Sequence, residues 1–564
     1  MTPYLASQFW FSIPALVPAT IYLLASAILL STRTARQDRP SCLAVLGAAV
    51  LILVALSYSY YAFTIDDAYI SLRYARNLAS GHGLVFSADG TAPVEGYTNF
   101  LWVVLESALF LLNLQTSSIV HAIKIIGILF GAGVVLGTYT LIRIATDDGR
   151  LAALGALLLG SVPQLSFWAV GGLETTMYMF WLVLGINFYL YERRLRAHHA
   201  VSMVSFLLMS LTRPEGVFFV GLLVSWELLN TMRLQRGNER TSSLQRLLSG
   251  VAIFAVGFGA YFAWRYGYYG FILPNTFYAR SGAVGVPHIA RRLREMTPFL
   301  AYLLPLAGIA WFGCLRRWDT TWRGQDLFVF SLVVLFGFCF APRREWMPGF
   351  RYELPLVPIL VCFVSLGIGR LFAQNGGWDE VSWDERMRRY GLVGCLGGFI
   401  LFAATGLHQE VRYSTNLERA HVALGKWLHT YAPGDASYAG WDMGAVPFYS
   451  ELPSIIDIHP EGILNTDTTH RGYDVAHTLS LKPSFLVLPT EPRDGVYPQG
   501  SMSRFYLSPV LGNEYGFLCS VYFTTDYVLT VYKRKDVPIS GRGLDEARLL
   551  QKRSRAEALR DTSH

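Results

Sequence analysis

The chain has 564 residues, 52% of them hydrophobic and only 15% charged, with a mean hydropathy of +0.35. A soluble protein carries about 25% charge, so these values exclude the ordinary soluble classes and predict a polytopic α-helical membrane protein. The 47 Lys and Arg against 40 Asp and Glu leave a net charge of +7. The basic residues fall in short clusters between apolar runs, as positive-inside loops do, which argues against nucleic acid as a partner.

The first apolar run, from about Phe9 to Leu30, lacks a basic n-region and a clear small-residue cleavage site, and reads as a retained span. Spans are predicted at 10–31, 42–63, 119–145, 151–170, 174–191, 200–213, 216–232, 247–265, 297–315, 326–341, 354–373 and 389–407, about twelve in all. With that count, Arg33, Arg36 and Arg39, Arg143 and Arg150, Arg193, Arg194 and Arg196, Arg233, Arg236 and Arg240, and Arg316, Arg317 and Arg323 share one side. That side is the cytoplasm. Asp66, Asp67 and everything after about 408 then face the exterior. Arg291, Arg292 and Arg294 also land outside and are assigned to an interfacial helix.

The stretch Ile65 to Trp102 follows the second span. At helical spacing Ile65, Ala68, Tyr69, Leu72, Ala75 and Ala79 form an apolar stripe, while Arg73, Arg76 and Asn77 point elsewhere. Gly81 and Gly83 stop this helix. The pattern predicts an amphipathic helix lying on the membrane face, opened by two adjacent carboxylates. The short apolar segment 99–115, which holds Glu106, is predicted as a second helix on or dipping into the bilayer.

From about 408 the pattern turns to β-rich runs at 484–489 and 520–534, with a helix over 417–431. The organisation expected is a transmembrane domain over 1–407, a small extracytoplasmic α/β domain over 408–537, and a charged, frayed or disordered tail over 538–564. Five cysteines lie in or beside apolar runs and Cys519 is alone in the polar part, so neither a disulfide framework nor a CxxC metal pattern is present.

Polar residues recur at the predicted outer ends of spans: Asp66 and Asp67; Glu95, Tyr97 and Asn99; Glu174; Arg213 and Glu215; Asn275, Tyr278 and Arg280; Arg343 and Arg344; Arg351 and Tyr352. Each has a plain alternative. The aspartates can cap their own helix, Arg213 and Glu215 can pair in a turn, and the other arginines can snorkel. His82 and His459 read as structural. Ionisable groups at membrane depth are costly, and usually face a cavity or a partner. Together these suit a substrate with an anionic headgroup and a hydroxyl-rich part. Glycosyl transfer from a lipid-phosphate sugar fits that description. Arginines, Arg73 included, would hold the donor phosphate, and a carboxylate would serve as general base or steady charge at the anomeric carbon. No cofactor is certain; the paired aspartates could instead hold a divalent cation on the donor phosphate.

DDAYISLRYARNLASGHGLVF, VEGYTNFLW, GLETTMY, TRPEG, PNTFYAR and FRYELPLVP resemble the bacterial GT-C membrane glycosyltransferases. Among these the chain is most similar to the mycobacterial terminal β-1,2 arabinofuranosyltransferase group. The resemblance spans roughly 60–360, with weaker likeness through AGWDMGAVPFYS (439–450) and IIDIHPEG (455–462). It implies a GT-C-like fold and an enzyme of the bacterial cytoplasmic membrane. The donor would be decaprenyl- or undecaprenyl-phosphate arabinofuranose, and the acceptor a glycan or protein. The key aspartate of the first outer loop carries over onto Asp66 and Asp67. The acidic pair follows the second predicted span here instead of the first, and the C-terminal domain is smaller than in that group. Mannosyl- or aminoarabinosyl-type transfer, and a transporter or flippase for a lipid-linked sugar, are the competing readings.

Overall fold

The computed structural model describes residues 39–234, 237–280, 347–373, 407–465, 469–470, 474–490 and 500–562, with isolated positions within 294–309 and at 396–397. The chain divides into two compact units. One comprises Met1–Phe63, Val120–Ala263 and Ala283–Glu410, the other Thr64–Ile119, Trp264–Gly282 and Val411–His564.

The first unit is helical. Among the described residues, Pro40–Ser59, Thr116–Thr146, Glu215–Arg233 and Asn238–Tyr269 are long and apolar enough to cross a membrane. Gly149–Gly160 and Pro163–Val170 qualify together, bent by 56°. The sequence pattern predicts one continuous span there. Pro163 has no N–H to give and starts a new helix, so the chain breaks at Ser161 and Val162. Shorter apolar helices run over Ala200–Thr212 and Leu354–Gly369. The spans expected at 10–31 and 326–341 lie outside the described residues, as do most positions of those at 297–315 and 389–407. Small residues set the packing, as is usual where lipid supplies no hydrophobic drive. A Cβ at Gly160 would strike the carbonyl of Ala49, and one at Gly127 that of Ala169. Ser57 Oγ donates to the Ser166 carbonyl (3.4 Å) and Ser166 Oγ to that of Leu53 (3.3 Å). Lys124 Nζ meets the carbonyls of Tyr61 (2.6 Å) and Phe63 (2.9 Å), satisfying the chain end that follows helix Arg39–Ser59.

The second unit is built on a five-stranded mixed sheet, with β1 Ser437–Gly440, β2 Ser454–Asp457, β3 Phe485–Thr490, β4 Tyr515–Tyr522 and β5 Val528–Arg534 in the order β2-β1-β3-β5-β4. β1 pairs in parallel with β2 (Gly440 opposite Asp457) and with β3 (Tyr438 opposite Phe485). β5 runs antiparallel to β3 and forms a hairpin with β4, bulged between Phe517 and Cys519. The predicted strand runs at 484–489 and 520–534 thus become β3 and the β4–β5 hairpin.

The first-loop helix Asp66–Ala79 belongs to this unit. Tyr74, Ala75, Leu84, Phe86, Tyr97 and Val103 share one hydrophobic core with Leu424, Leu428, Tyr438, Phe485, Val487 and Val531. Residues 64–119, which the sequence reading leaves inside 1–407, therefore pack with the C-terminal sheet. The tail is also more ordered than its charge predicts. Residues Gly541–Thr562 form one helix that buries Ala547, Ser554 and Ala558, and Ser554 Oγ accepts the amide of Tyr522 (3.1 Å). These small inward residues, with buried Gly543 and half-buried Leu544 and Leu550, seat a helix whose other faces are charged.

Candidate active site

Helix Asp66–Ala79 opens with its two carboxylates and has no side-chain cap from Ile65. Asp66 does not cap its own helix in the manner expected of an N-terminal acid. It is 9% exposed, and its carboxylate accepts the backbone amides of Gly444 (3.0 Å) and Ala445 (2.8 Å), almost 380 residues away. Those amides begin the short helix Ala445–Ser450, whose free N–H groups favour an anion. Gly444 is required there, because a Cβ would overlap both the carbonyl and the carboxylate of Asp66. Gly444→Ala is therefore expected to displace the carboxylate and cut any reaction that uses it, which a rate assay beside a thermal-unfolding control will measure.

Around Asp66 lies a compact ionisable group. Burial pushes its carboxyl up to about 6; the His421 imidazole and the Ala445 amide pull it down, while Asp442 and Asp67 push it further up. His421 Nε2 meets Asp442 Oδ2 at 3.0 Å, and the Tyr527 hydroxyl donates to the same oxygen at 2.9 Å. Burial alone would lower the His421 pKa, yet the Asp442 carboxylate lifts it above its ordinary value. Asp442 stays below the usual carboxylate range: burial opposes this, and His421 and Tyr527 outweigh it. The Tyr413 hydroxyl lies in the field of Asp66, Asp442 and Asp67. Asp67 itself is half-buried. Asp442 follows the carboxyl end of β1, and Asp457 and His459 stand at that of β2, the edge where parallel sheets place ligands. Asp457 accepts the amides of His459 (2.8 Å) and Leu464 (3.0 Å), while the His459 ring packs edge-on to Trp441 (4.3 Å). Among the described residues no three His, Cys, Asp or Glu side chains converge as a metal site would.

Several residues singled out from sequence are engaged elsewhere in this unit. Arg73, 2% exposed, donates to the carbonyls of Phe86 (2.7 Å), Pro447 (2.5 Å) and Leu452 (2.6 Å), and its guanidinium lies over the Phe86 ring. That is a clamp on helix Ala445–Ser450 and the residues just after it, not a group presented to a phosphate. Arg73→Leu is expected to destabilise the protein by about 3 kcal/mol, since three buried carbonyls lose their donor; thermal unfolding in detergent measures this. Glu95 forms a buried bidentate pair with Arg265 (2.8 and 2.5 Å). Tyr97 shares a hydrogen bond with Tyr269 (3.1 Å), and Asn99 exchanges bonds with Ser71 (2.9 and 3.3 Å). Asn275 donates to the carbonyl of Ile463 (2.7 Å), and Tyr278 packs against Phe271 and His470. Arg280 closes the helix Asn275–Arg280. Its side chain lies outside the described residues, as do Arg343 and Arg344.

The first unit carries a second constellation. Glu174, 2% exposed, bonds Arg351 Nη2 through one oxygen and faces Arg213 Nη1 at 3.4 Å through the same oxygen. Arg213 also pairs with Glu215 (3.1 Å) and lies 4.4 Å from the Tyr352 ring centroid. Arg351 donates to Thr175 Oγ1 (3.2 Å) and lies over Trp168 (5.6 Å) and Tyr352 (5.7 Å). Glu174, Arg213, Glu215, Arg351 and Tyr352, all picked out from sequence, are thus brought together. His421, Asp442 and Tyr527 were not. The segment 439–450 carried a sequence signal for Asp442 but for neither His421 nor Tyr527.

No family model and no curated protein sequence matches the chain. Solved structures do. ArnT from Cupriavidus metallidurans bound to undecaprenyl phosphate matches with a TM-score of 0.58 at 13% identity, over 88% of this chain and 98% of that one. Its apo form gives 0.57 at 14% identity, over 86% and 98%. The oligosaccharyltransferase AglB from Archaeoglobus fulgidus, in complex with an inhibitory peptide and a dolichol-phosphate, gives 0.54 at 13% identity, over 88% and 75%. The chain shares the fold of these two proteins.

Proposed function

We propose that the protein is a membrane glycosyltransferase that moves a sugar, with D-arabinofuranose the leading candidate, from a polyprenyl-phosphate donor to a glycan or protein acceptor. The reaction takes place on the outer face of the bacterial cytoplasmic membrane, where Asp66 and Asp67 act as general base or charge stabiliser. The observation that carries this reading is the desolvated Asp66 carboxylate, fixed by two amides in a fold shared with two enzymes solved with lipid phosphates. A polyprenyl phosphate leaves readily once its charge is stabilised, and the acceptor hydroxyl, a weak nucleophile, needs a base within reach. Burial keeps the Asp66 carboxyl basic enough for that task near neutral pH.

Arg213 and Arg351 are the proposed donor-phosphate ligands. Glu174 holds both guanidiniums in place, which lowers the entropy cost of presenting them. Arg213→Ala and Arg351→Ala are expected to raise KM for the donor by about tenfold or more, with a smaller effect on the acceptor. Equal loss on both sides would assign these arginines to folding.

The deciding experiment incubates the purified full chain with synthetic polyprenyl-phosphate arabinofuranose, mannose and aminoarabinose, and follows release of polyprenyl phosphate. Turnover of the arabinofuranose donor supports the leading assignment, and turnover of another replaces it. Inertness toward every donor, with lipid-linked sugar moved intact across vesicles, would make the chain a transporter.

A further inference from the structure

We propose that a polar cavity within the first unit binds the phosphate of an anionic phospholipid headgroup, a site separate from the proposed transfer reaction. Helix Glu215–Arg233 is apolar enough to cross a membrane, yet its last turns set Glu227, Asn230 and the following Leu234 at i, i+3 and i+7, which is one face. Polar groups on a spanning helix need a partner or a cavity. Here that face lines a cavity of about 390 Å³, together with Arg246 of helix Asn238–Tyr269 and with Arg193 and His199 at and just beyond the end of helix Thr175–Leu195. Small-ligand sites span about 300–1,000 Å³, so the space suits a headgroup.

The groups left over decide the sign of the ligand. Glu227 accepts from the Tyr189 hydroxyl and pairs with Arg193 (3.2 Å), and Glu239 pairs with Arg196 (3.2 Å). Both carboxylates of the cavity wall are thus matched by guanidiniums. Arg246 is surplus, with no carboxylate paired to it among the described residues. The Asn230 amide nitrogen is buried and has no hydrogen-bond partner among the described residues. His199 is 5% exposed and its ring stacks on Tyr189 (5.4 Å). Its Nδ1 also lacks a hydrogen-bond partner there, standing 3.7 Å from a Glu192 oxygen that already accepts from the Ser202 hydroxyl (2.5 Å). Buried polar atoms are nearly always bonded, so orphans lining a cavity point to a ligand. A spare guanidinium beside a spare amide donor calls for an acceptor-rich anion, and a phosphate meets both with charge-assisted hydrogen bonds.

The surroundings select a lipid. Leu229, Met232 and Leu234, in the same turns as Asn230, and Leu248, just after Arg246, stand exposed. An acyl chain lies along that apolar surface while its headgroup enters the cavity. The arginine distribution assigns this end of the helices to the cytoplasmic leaflet, where basic pockets between spanning helices take anionic headgroups.

The test titrates the purified full chain in detergent with phosphatidylglycerol or with phosphatidylcholine, whose choline cation the arginines repel, and counts bound lipid by native mass spectrometry. The wild type is expected to retain phosphatidylglycerol saturably, and about tenfold more tightly than phosphatidylcholine. Arg246→Gln and, independently, Asn230→Leu weaken that binding, the first by about tenfold, the effect of removing one charge-assisted bond. Arg233→Gln takes the same charge from an exposed arginine outside the cavity and leaves the affinity unchanged. Equal retention of the two lipids, or a loss in Arg233→Gln as large as in Arg246→Gln, overturns the site in favour of general attraction between charged surfaces. Soluble glycerol phosphate that displaces the lipid at equal concentration makes the ligand a free phosphate ester and overturns the lipid assignment. No sugar donor enters the measurement, so its outcome is independent of the transfer reaction.

Discussion

Asp66→Asn is expected to lower transfer by about 10²–10⁴-fold, the range typical of removing a general base. Asn keeps the size of the side chain but offers one carbonyl oxygen where two amides, from Gly444 and Ala445, both require an acceptor. One amide is left facing an NH2, so a modest stability loss accompanies the rate loss, and thermal unfolding separates the two. Asp67→Asn keeps those amide contacts intact and isolates the second carboxylate. The wild-type rate should climb with rising pH through about 6, because a base works only when ionised and burial holds the proton on Asp66 until that range. Asp66→Asn should flatten that limb. If both single variants turn over like the wild type, the carboxylates are structural and the catalytic assignment fails.

The largest stability effect is expected at Glu174. Glu174→Ala leaves Arg213 and Arg351 buried, Arg213 still paired with Glu215, and removing one partner of a buried ion pair costs about 3–5 kcal/mol. Size-exclusion profiles and melting curves of the detergent-solubilised protein report this as lost monodispersity and a lower midpoint. The double variant Glu174→Leu/Arg351→Leu removes one charge of each sign and should recover much of that stability. It should not recover transfer if the guanidinium holds the donor phosphate. A double-mutant cycle between the two positions with no coupling would dissolve the cluster as an energetic unit.

The helix Asp66–Ala79 shows how much of this was legible beforehand. Its extent followed from Asp66 and Asp67 at the start and Gly81 at the stop, and the buried stripe Ala68, Tyr69, Leu72 and Ala75 followed from helical spacing. The other face did not. Arg73 and Asn77 read as polar residues pointing away from the apolar stripe, with Arg73 a candidate for the donor phosphate, yet both are buried, donating to backbone carbonyls at 85–86 and, for Arg73, at 447 and 452. Periodicity ranks residues by their own polarity and is blind to unpaired carbonyls waiting elsewhere in the chain. The break at Ser161 and Val162 was readable in principle from Pro163, and was missed because the apolar run continues across it.

The same limit governs the site. Composition and hydropathy alone identify a membrane protein, since burying so little charge in so much apolar surface has no soluble solution. The motifs alone single out Asp66, Asp67, Glu174, Arg213 and Arg351, because charge beside an apolar run needs a partner to remain there. Apart from the local Arg213–Glu215 pair, the partner each one takes is set by chain segments about 20 to 380 residues distant. Folding brings Glu174 to Arg351, Asp66 to the amides after Gly444, and His421 to Asp442. A carboxylate's role as clamp, cap or base depends on those neighbours and on how far water is kept out, and both exist only once the chain has packed.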